Sequence, residues 1–334
     1  MRQLAQSKEL IESLVSKSEN YIIFNDGKAV SQNIEEFIDI DVDEYFNRND
    51  ILKKAKSEIE SEIESNVPFS STIIINGDCN LKIIQLSDEQ KYLNYNIIVK
   101  NGKVNINFIN MGFATTIKAK VELLCSKNTD VTVNTYTNAT EEISLLSNVY
   151  CLENAKFKLY DLSVNEDLVN NQVNVYLLKK NTVVDITNVL LNQSGKKQVY
   201  DYHVYHNAID SLSTLNNYGI AKNTSELILN NNGIVEHGAI NSNLTQRSKG
   251  IILDMYSIIS ANPILEINDN DVLAAHGAAI GAIDESDLYY LMSRGLSNEQ
   301  ATSLMISAYV NPFFRESKDE KVNDYINNRL KKYL

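Results

Sequence analysis

The feature that most constrains this chain is a pattern of alternating apolar and polar residues that returns at a nearly constant interval. Alternating segments begin at Val104, Val131, Phe157 and Val183, with starts separated by 27, 26 and 26 residues. Alternation places successive side chains on opposite faces of a strand, and a period of roughly 20 to 50 residues indicates a stacked repeat. The spacing therefore predicts a β-solenoid with one coil per repeat and a core shared between neighbouring coils.

Between residues 71 and 271 no helical stripe interrupts this alternation. Two-residue hairpin signals are few, since Asn-Gly pairs begin only at Asn76, Asn101 and Asn232, and a meandering barrel or sandwich should show more of them. Asn-rich corners suit a solenoid, because asparagine tolerates left-handed φ angles and its side chains form ladders. Alternation alone also fits a β-sandwich, which stays open as an alternative at this point.

Helical patterns flank the alternating region on its N-terminal side. Ile51, Ala55, Ile59 and Ile63 recur every four residues, as in an amphipathic helix. This helix should end before Pro68, because the residue that precedes a proline avoids the helical conformation.

A second helical region follows the alternating segments. Gly295 suits the position just after a helix end, and Ser297 with Gln300 forms a capping box that opens another helix. The predicted division is an N-terminal helical region, a β-helix core and a C-terminal helical domain, over residues 1–66, 67–275 and 276–334.

Charge and composition exclude several function classes. The net charge is −12 at pH 7, whereas nucleic-acid binding needs clustered Lys and Arg side chains that contact phosphates. No run approaches the roughly 18 apolar residues of a transmembrane span, and the polar N-terminal residues lack a signal-peptide core. We therefore expect a cytoplasmic chain with no nucleic-acid partner and no membrane partner.

Residues that could carry chemistry are few and scattered. Cys79, Cys125 and Cys151 form no CxxC pair, which is typical of reduced core thiols. His203 and His206 are three residues apart, so a strand would place them on opposite faces and would not bring them to one metal. No nucleotide-binding or hydrolase motif is present. A carbohydrate-active β-helix enzyme is an alternative, and it would need a cleft of carboxylates on one sheet.

The segment from Pro263 to Ala301 carries a more specific pattern. It contains Pro-Ile-Leu-Glu-Ile from Pro263, Asp-Asn-Asp-Val from Asp269, His-Gly-Ala from His276 and Ser-Arg-Gly-Leu from Ser293. In this order the motifs resemble the C-terminal signature of the SufB/SufD family, the scaffold proteins of SUF iron–sulfur cluster assembly. The fold that the resemblance implies is a right-handed parallel β-helix between two helical regions, in agreement with the periodicity.

The resemblance also implies a function, namely a scaffold without catalytic turnover. SufB and SufD pair through their β-helices, and each C-terminal helical domain docks a SufC ATPase subunit. The implied partners are a SufC-like ATPase and either a SufB-like paralogue or a second copy of this chain, bound through β-helix edges. The candidate ATPase-docking residues are Leu288, Tyr289, Tyr290, Leu291, Arg294, Gly295 and Glu299.

Within the family, the resemblance points to the SufD side. SufB relatives carry a Glu-His-Glu triplet where this chain has Ala275, His276 and Gly277, and an essential cysteine near the position of Ser248. SufD relatives often carry a cysteine at the position of Ala274. His276 is thus the one candidate metal ligand of the family that this chain retains, and it would bind metal at an interface shared with a partner. The alternative is a structural role for His276 at the junction between the β-helix and the helices.

These differences set the expectations about cofactors. One neutral imidazole does not hold an iron–sulfur cluster, so we expect no cofactor bound stably by the isolated chain and a transient cluster in the complex. A cluster-holding scaffold of the SufB type is the alternative, and flavin binding is left open.

Overall fold

The computed structural model describes residues 14–16, 18–26, 28–35, 38–41, 71–87, 92–112, 116–317 and 319–331. The helix predicted over residues 51–63, like most of the predicted N-terminal helical region, lies outside these residues. The described part of that region differs from the prediction, since it forms strands at Asn20–Asn25, Lys28–Asn33 and Ile38–Asp41. Within the described part, nineteen strands are followed by three helices.

The strands form two sheets, and from β4 onward the chain moves from one sheet to the other with every strand. The first sheet consists of β1 (Asn20–Asn25), β2 (Lys28–Asn33), β5 (Cys79–Ser87), β7 (Lys103–Gly112), β9 (Asp130–Ala139), β11 (Lys156–Asn165), β13 (Val183–Asn192), β15 (Leu212–Ala221), β17 (Ser242–Ile252) and β19 (Val272–Ala282). The second sheet consists of β3 (Ile38–Asp41), β4 (Ser71–Asn76), β6 (Tyr92–Asn101), β8 (Ile117–Cys125), β10 (Ile143–Cys151), β12 (Val169–Leu177), β14 (Lys197–His206), β16 (Glu226–Val235) and β18 (Ile258–Ile267). One strand in each sheet makes a coil, so β4 to β19 form eight coils.

Neighbouring coils pair in parallel, which confirms the predicted β-solenoid and replaces the β-sandwich alternative. Val104, Val131 and Phe157 share one buried column across β7, β9 and β11. The next member of that column is Val184 rather than the predicted Val183. The corner before β13 is one residue longer than the corner before β11, and this insertion shifts the register by one.

Asparagine shapes the corners between the second sheet and the first, as predicted. Asn128, Asn154 and Asn181 have φ angles of 62°, 58° and 59°, in the left-handed region that asparagine tolerates. Their side chains form a ladder, in which Asn154 Nδ2 donates to Asn128 Oδ1 at 2.8 Å and Asn181 Nδ2 donates to Asn154 Oδ1 at 3.0 Å. The corners therefore stack in the same way from coil to coil.

The Asn-Gly pair at Asn232 has a different role from the hairpin signal that its sequence suggests. Asn232 and Gly233 lie inside β16, whereas Asn76 and Asn101 end β4 and β6. A Cβ atom on Gly233 would lie 2.5 Å from Leu244 Cδ1. Glycine is therefore required here because a side chain from β17, the other strand of the same coil, lies against the backbone of β16.

The three helices are α1 (Glu285–Ser293), α2 (Asn298–Glu316) and α3 (Glu320–Leu330). The last two cover the outer face of the first sheet, where Phe313 and Ile326 are buried among side chains such as Tyr136 and Leu162. A second apolar core fills the space between the sheets. The last strand ends at Ala282, so the β-helix continues seven residues past the predicted boundary at 275. None of the described helices is long and apolar enough to cross a membrane.

Lys82 on β5 ties two distant segments of the chain to the first sheet. Its side chain is 3% exposed, and its Nζ lies 2.7 Å from Asp319 Oδ2 and 3.2 Å from Glu19 Oε2. The same Nζ donates to the backbone oxygen of Leu14. Asp319 immediately precedes α3, whereas Glu19 and Leu14 precede β1, so one buried cation holds both segments against the sheet.

We expect Lys82→Met to lower the free energy of unfolding by about 3 kcal/mol, because the largely buried carboxylate of Asp319 loses its cation. Chemical denaturation at neutral pH measures this change. Lys103→Met is the matched control, since Lys103 is 75% exposed and lies 4.0 Å from Asp130, and such surface pairs contribute little. Unchanged stability of Lys82→Met would contradict the structural role of this cation.

Candidate functional site

His276 lies in the middle of β19, and not at the predicted junction between the β-helix and the helices. Its register partner is Gln246 on β17, whose own partner on β15 is the buried Leu215. His276 therefore continues a row of side chains that faces the interior of the solenoid. Since β19 is the edge strand of the first sheet, no coil of the described residues covers His276, and its side chain is exposed.

The last coil, made of β18 and β19, forms what we call the open end of the solenoid. Each sheet stops at one of these strands, and no described strand pairs with their outer edges. Ile264, Leu273 and Ile280 are 46%, 70% and 37% exposed. Solenoids normally cover their terminal repeats with polar caps, and a bare strand edge is a template for pairing with another chain. The open end therefore has the unpaired strand edges and exposed apolar side chains that are typical of interaction surfaces.

The residues around His276 do not complete a metal site within this chain. Ala274 and Ser248, at the positions where the family resemblance implies cysteines, supply no thiolate, and the flanking Ala275 and Gly277 supply no carboxylate. Among the described residues, no group of three His, Cys, Asp or Glu side chains could hold a metal ion. At the open end, His276 therefore supplies one imidazole and no second ligand from the neighbouring described residues.

The other predicted candidates are distributed as their spacing indicates. His206 is fully buried and bonds Ser211 Oγ through Nδ1 at 2.6 Å and Ser213 Oγ through Nε2 at 2.7 Å. Burial lowers the pKa of His206 to about 4, so this imidazole is neutral and structural. His203 faces the opposite side of β14, where its ring nitrogen lies 3.3 Å from Asn232 Nδ2.

All three cysteines have free thiols. Cys125 and Cys151 are fully buried register partners on β8 and β10, which confirms the predicted core role. Cys79 is only partly buried. Burial raises the pKa of Cys79 to about 11 and that of Cys125 well above its usual value. These two thiols are therefore protonated at neutral pH and poorly suited to bind iron, which needs the thiolate.

Helix α1 presents the predicted docking residues to solvent. Asp284 caps its N-terminus, and none of its nine residues is buried. Tyr289 and Tyr290 are 75% and 56% exposed, and the Arg294 guanidinium lies 5.2 Å from the centre of the Tyr290 ring. Gly295 has a φ of 97°, which ends the helix as its sequence position predicts. The two exposed tyrosines of α1 are side chains of a kind that is common at protein interfaces.

A cleft of about 740 Å³ separates α1 and α2 from a corner of the solenoid. Leu288 and Glu299, both predicted docking residues, line it together with Lys222. The opposite wall is the corner after β17, where Met255 is 92% exposed. Leu291, the remaining predicted residue, is partly buried on α1. The structure thus brings the predicted set to one region of the molecule and adds the solenoid corner to it.

The corner after β17 was not singled out by its sequence. Asp254 accepts hydrogen bonds from the backbone N–H groups of Tyr256 and Ser257 at 2.8 Å, and from Ser257 Oγ at 2.7 Å. This turn holds Met255 and Tyr256, the latter 72% exposed, away from the core. The sequence feature that could have revealed this corner is the apolar pair Met255 and Tyr256 between Asp254 and Ser257, since such turns normally carry polar residues.

A second cleft, of about 630 Å³, contains the acidic residues that a carbohydrate enzyme would need. Three of its five carboxylates make structural contacts: Glu19 and Asp319 bind Lys82, and Asp78 accepts from the Lys103 N–H at 2.7 Å. Burial alone would raise the pKa of Glu19, but Lys82 and nearby hydrogen bonds hold it below its usual value. A glycosidase acid needs a raised pKa, so this cleft does not favour the enzyme alternative.

Comparison with known proteins identifies the family. The family model for "SUF system FeS cluster assembly, SufBD core domain" matches residues 78–309, which is more than two thirds of the chain. The chain belongs to the SufB/SufD family. The match includes the last coil, α1 and the first part of α2, so the open end and α1 are part of the family core.

The similarity to SufD extends to individual relatives. The iron–sulfur cluster assembly protein SufD of Bacillus subtilis (strain 168) is 32% identical over 157 residues, which is 47% of this chain and 36% of that protein. A SufBD family protein of Staphylococcus epidermidis is 26% identical over 202 residues, 59% of this chain and 43% of that protein. This chain is thus a SufD-like member of the SufB/SufD family, and the matches span less than half of these relatives' lengths.

Proposed function

We propose that this SufD-like chain is a non-catalytic scaffold subunit of a cytoplasmic SUF assembly. The observation that carries the proposal is the open end, an exposed apolar coil with two bare strand edges inside the region that the family model matches. A chain that folds on its own needs no such surface, whereas a subunit that pairs with another solenoid does.

The partner proposed for the open end is a SufB-like paralogue, with a second copy of this chain as the alternative. Parallel coils place strand edges of both sheets side by side, so another solenoid end could extend both sheets at once. Ile264 and Leu273 would become buried in such an interface, and apolar burial provides its main driving force.

The partner proposed for α1 is a SufC-like ATPase. Tyr289 and Tyr290 provide exposed aromatic anchors, of the kind that dominate binding energy at protein interfaces. The neighbouring cleft, with Leu288 and Glu299 on one wall and Met255 on the other, could accept a partner side chain. Movement of a docked ATPase would then act on α2, which packs on the first sheet.

The role proposed for His276 is that of one ligand to a transient iron–sulfur cluster at the interface with the partner. It is exposed at the open end, and neutral imidazole is a suitable iron ligand. Cluster building, in which the cluster is cargo, would then occur between the two solenoids and not within this chain.

Anaerobic reconstitution with iron and sulfide tests the assignment to the SufD type. After gel filtration, the isolated chain should retain no cluster, because Ala274 and Ser248 provide no thiolate near His276. Iron and acid-labile sulfide assays, together with visible absorbance, measure retention. A stable cluster on the wild-type chain that is lost in His276→Ala would overturn this assignment in favour of the SufB-like alternative.

A further inference from the structure

Inside the solenoid, one row of inward-facing side chains is polar on five consecutive strands of the first sheet. Its members, in register from β9 to β17, are Thr135, Asp161, Asn188, Asn217 and Ser248. The last four are at most 5% exposed. Buried polar groups are unfavourable unless each finds a hydrogen-bond partner, so the partners in this row are informative.

The hydrogen bonds of this row all point in one direction. Asn188 Nδ2 donates to Asn217 Oδ1 at 2.6 Å, and Asn217 Nδ2 donates to Asn231 Oδ1 of the second sheet at 2.7 Å. Asn231 Nδ2 then donates to Ser248 Oγ at 2.9 Å. At the other end, the Thr135 hydroxyl donates to Asp161 Oδ1. Each donor faces toward the open end, and only the link between Asp161 and Asn188 is missing.

The hydrogen bond that is missing would lie between two acceptor atoms. Asp161 Oδ2 and Asn188 Oδ1 belong to register partners, both atoms are buried, and neither has a donor in the described protein. If Asp161 is ionised, two oxygen acceptors occupy neighbouring positions without a hydrogen between them. If Asp161 is protonated, its Oδ2–H supplies the hydrogen that Asn188 Oδ1 lacks.

The surroundings of Asp161 favour the protonated form. Burial raises the pKa of Asp161 from 3.8 to about 6, although the hydroxyls of Thr135 and Tyr202 act in the opposite direction. The Tyr202 hydroxyl lies beside the carboxyl, and its lowering effect on the Asp161 pKa is smaller than the raising effect of burial. The ionisable groups that face Asp161 are Tyr200 and Tyr202, whose pKa values burial raises, so neither offers a charge that would stabilise the carboxylate.

We propose that this row is a proton-dependent hydrogen-bond switch controlled by Asp161. When Asp161 is protonated, it donates to Asn188, and the series of hydrogen bonds continues without interruption to Ser248. The hydroxyl hydrogen of Ser248 can then point toward β19. When Asp161 is ionised, Asn188, Asn217 and Asn231 must each rotate by half a turn so that their donors face the carboxylate. Ser248 then donates to Asn231. The protonation state of Asp161 therefore sets the donor-to-acceptor direction of every hydrogen bond from Asp161 to Ser248, which lies next to the open end.

The variant Asp161→Asn tests this switch, because its amide has the same shape and donates to Asn188 without titrating. The unfolded-state pKa is 3.8 and the folded-state pKa is about 6. The favourable contribution of protonated Asp161 is therefore complete below about pH 4 and is lost as the pH rises through 6. Relative to the variant, the wild-type folding equilibrium should decrease about a hundredfold across this window, as measured by denaturant unfolding at several pH values.

The comparison with the variant is needed because His206 titrates in the opposite sense. Its folded-state pKa is lowered from 6.5 to about 4, so it removes stability as the pH falls through the same window. His206 is present in both proteins, and its effect cancels in their difference. A difference that is constant with pH, or that favours the wild type increasingly as the pH rises, would overturn the proposal and indicate an Asp161 that is ionised throughout.

Infrared spectroscopy of the folded wild type provides a second readout that does not require the variant to fold. A protonated carboxylic C=O band should be present at pH 5 and should disappear by pH 8. A matched Tyr202→Phe protein should keep this band, since the Tyr202 hydroxyl lowers the pKa of Asp161 and its removal favours the protonated carboxyl. Absence of any titrating carboxylic band between pH 5 and pH 8 would overturn the switch.

Discussion

Leu273→Asp combined with Ile264→Asp should weaken binding of the SufB-like partner by about 30-fold or more, which corresponds to the loss of roughly 2 kcal/mol or more that is typical of central interface residues. Both side chains are exposed in the isolated chain, Leu273 at 70% and Ile264 at 46%. Folding therefore does not depend on them, whereas an interface would have to bury two unpaired carboxylates. Surface plasmon resonance or analytical ultracentrifugation with the purified partner measures the change.

Val30→Asp is the matched control for these substitutions. Val30 is 59% exposed on β2, which lies at the opposite end of the first sheet from β19. It should bind the partner as the wild type does, and all three substitutions should leave the thermal midpoint nearly unchanged. Wild-type affinity of the Leu273/Ile264 double variant would show that the partner does not use the open end.

Tyr289→Ala combined with Tyr290→Ala should abolish retention of the SufC-like ATPase during co-purification. The two rings are the most exposed aromatic side chains of α1, and removal of such anchors commonly weakens binding by 2 kcal/mol or more, about 30-fold. The fold should be unaffected, because α1 contributes no buried residue. Pull-down of a tagged ATPase from cells that co-express both chains measures retention.

Point substitutions are required here, because removal of residues 284–334 would also remove α2 and α3. These helices bury Phe313 and Ile326 on the outer face of the first sheet, so a truncated chain would expose that face and lose solubility for reasons unrelated to docking. Ile209→Ala is the control, since Ile209 is 39% exposed at the other corner of the coils. Full ATPase retention by the double tyrosine variant would place docking elsewhere on the chain.

The solenoid itself is predictable from the sequence, because each coil must bury alternate residues of two strands. The column of Val104, Val131 and Phe157 is visible as a constant spacing. The shift to Val184 is not visible in the same way, since a corner can accept an extra residue without any change in the strand pattern. Corner length is set by stacking on the previous coil, which a single sequence does not display.

The candidate site was predictable in its residues but not in its geometry. The strand that carries His276 reads Val-Leu-Ala-Ala-His-Gly-Ala-Ala-Ile-Gly-Ala, and Ala and Gly have low strand propensity. Parallel pairing with β17 along its whole length overrides that propensity. The exposure of the open end is equally hidden, because β18 contains apolar and polar residues in a mixture similar to that of the covered strands.

The most direct test of the scaffold role is co-expression of the full chain with its cognate SufC-like ATPase and SufB-like partner, followed by mass measurement of the purified assembly. We predict a complex that contains all three chains. The Leu273/Ile264 double variant should purify without the SufB-like chain, and the Tyr289/Tyr290 double variant should purify without the ATPase subunit that binds this chain. Purification of this chain alone, with neither partner present, would contradict the proposed role in SUF assembly.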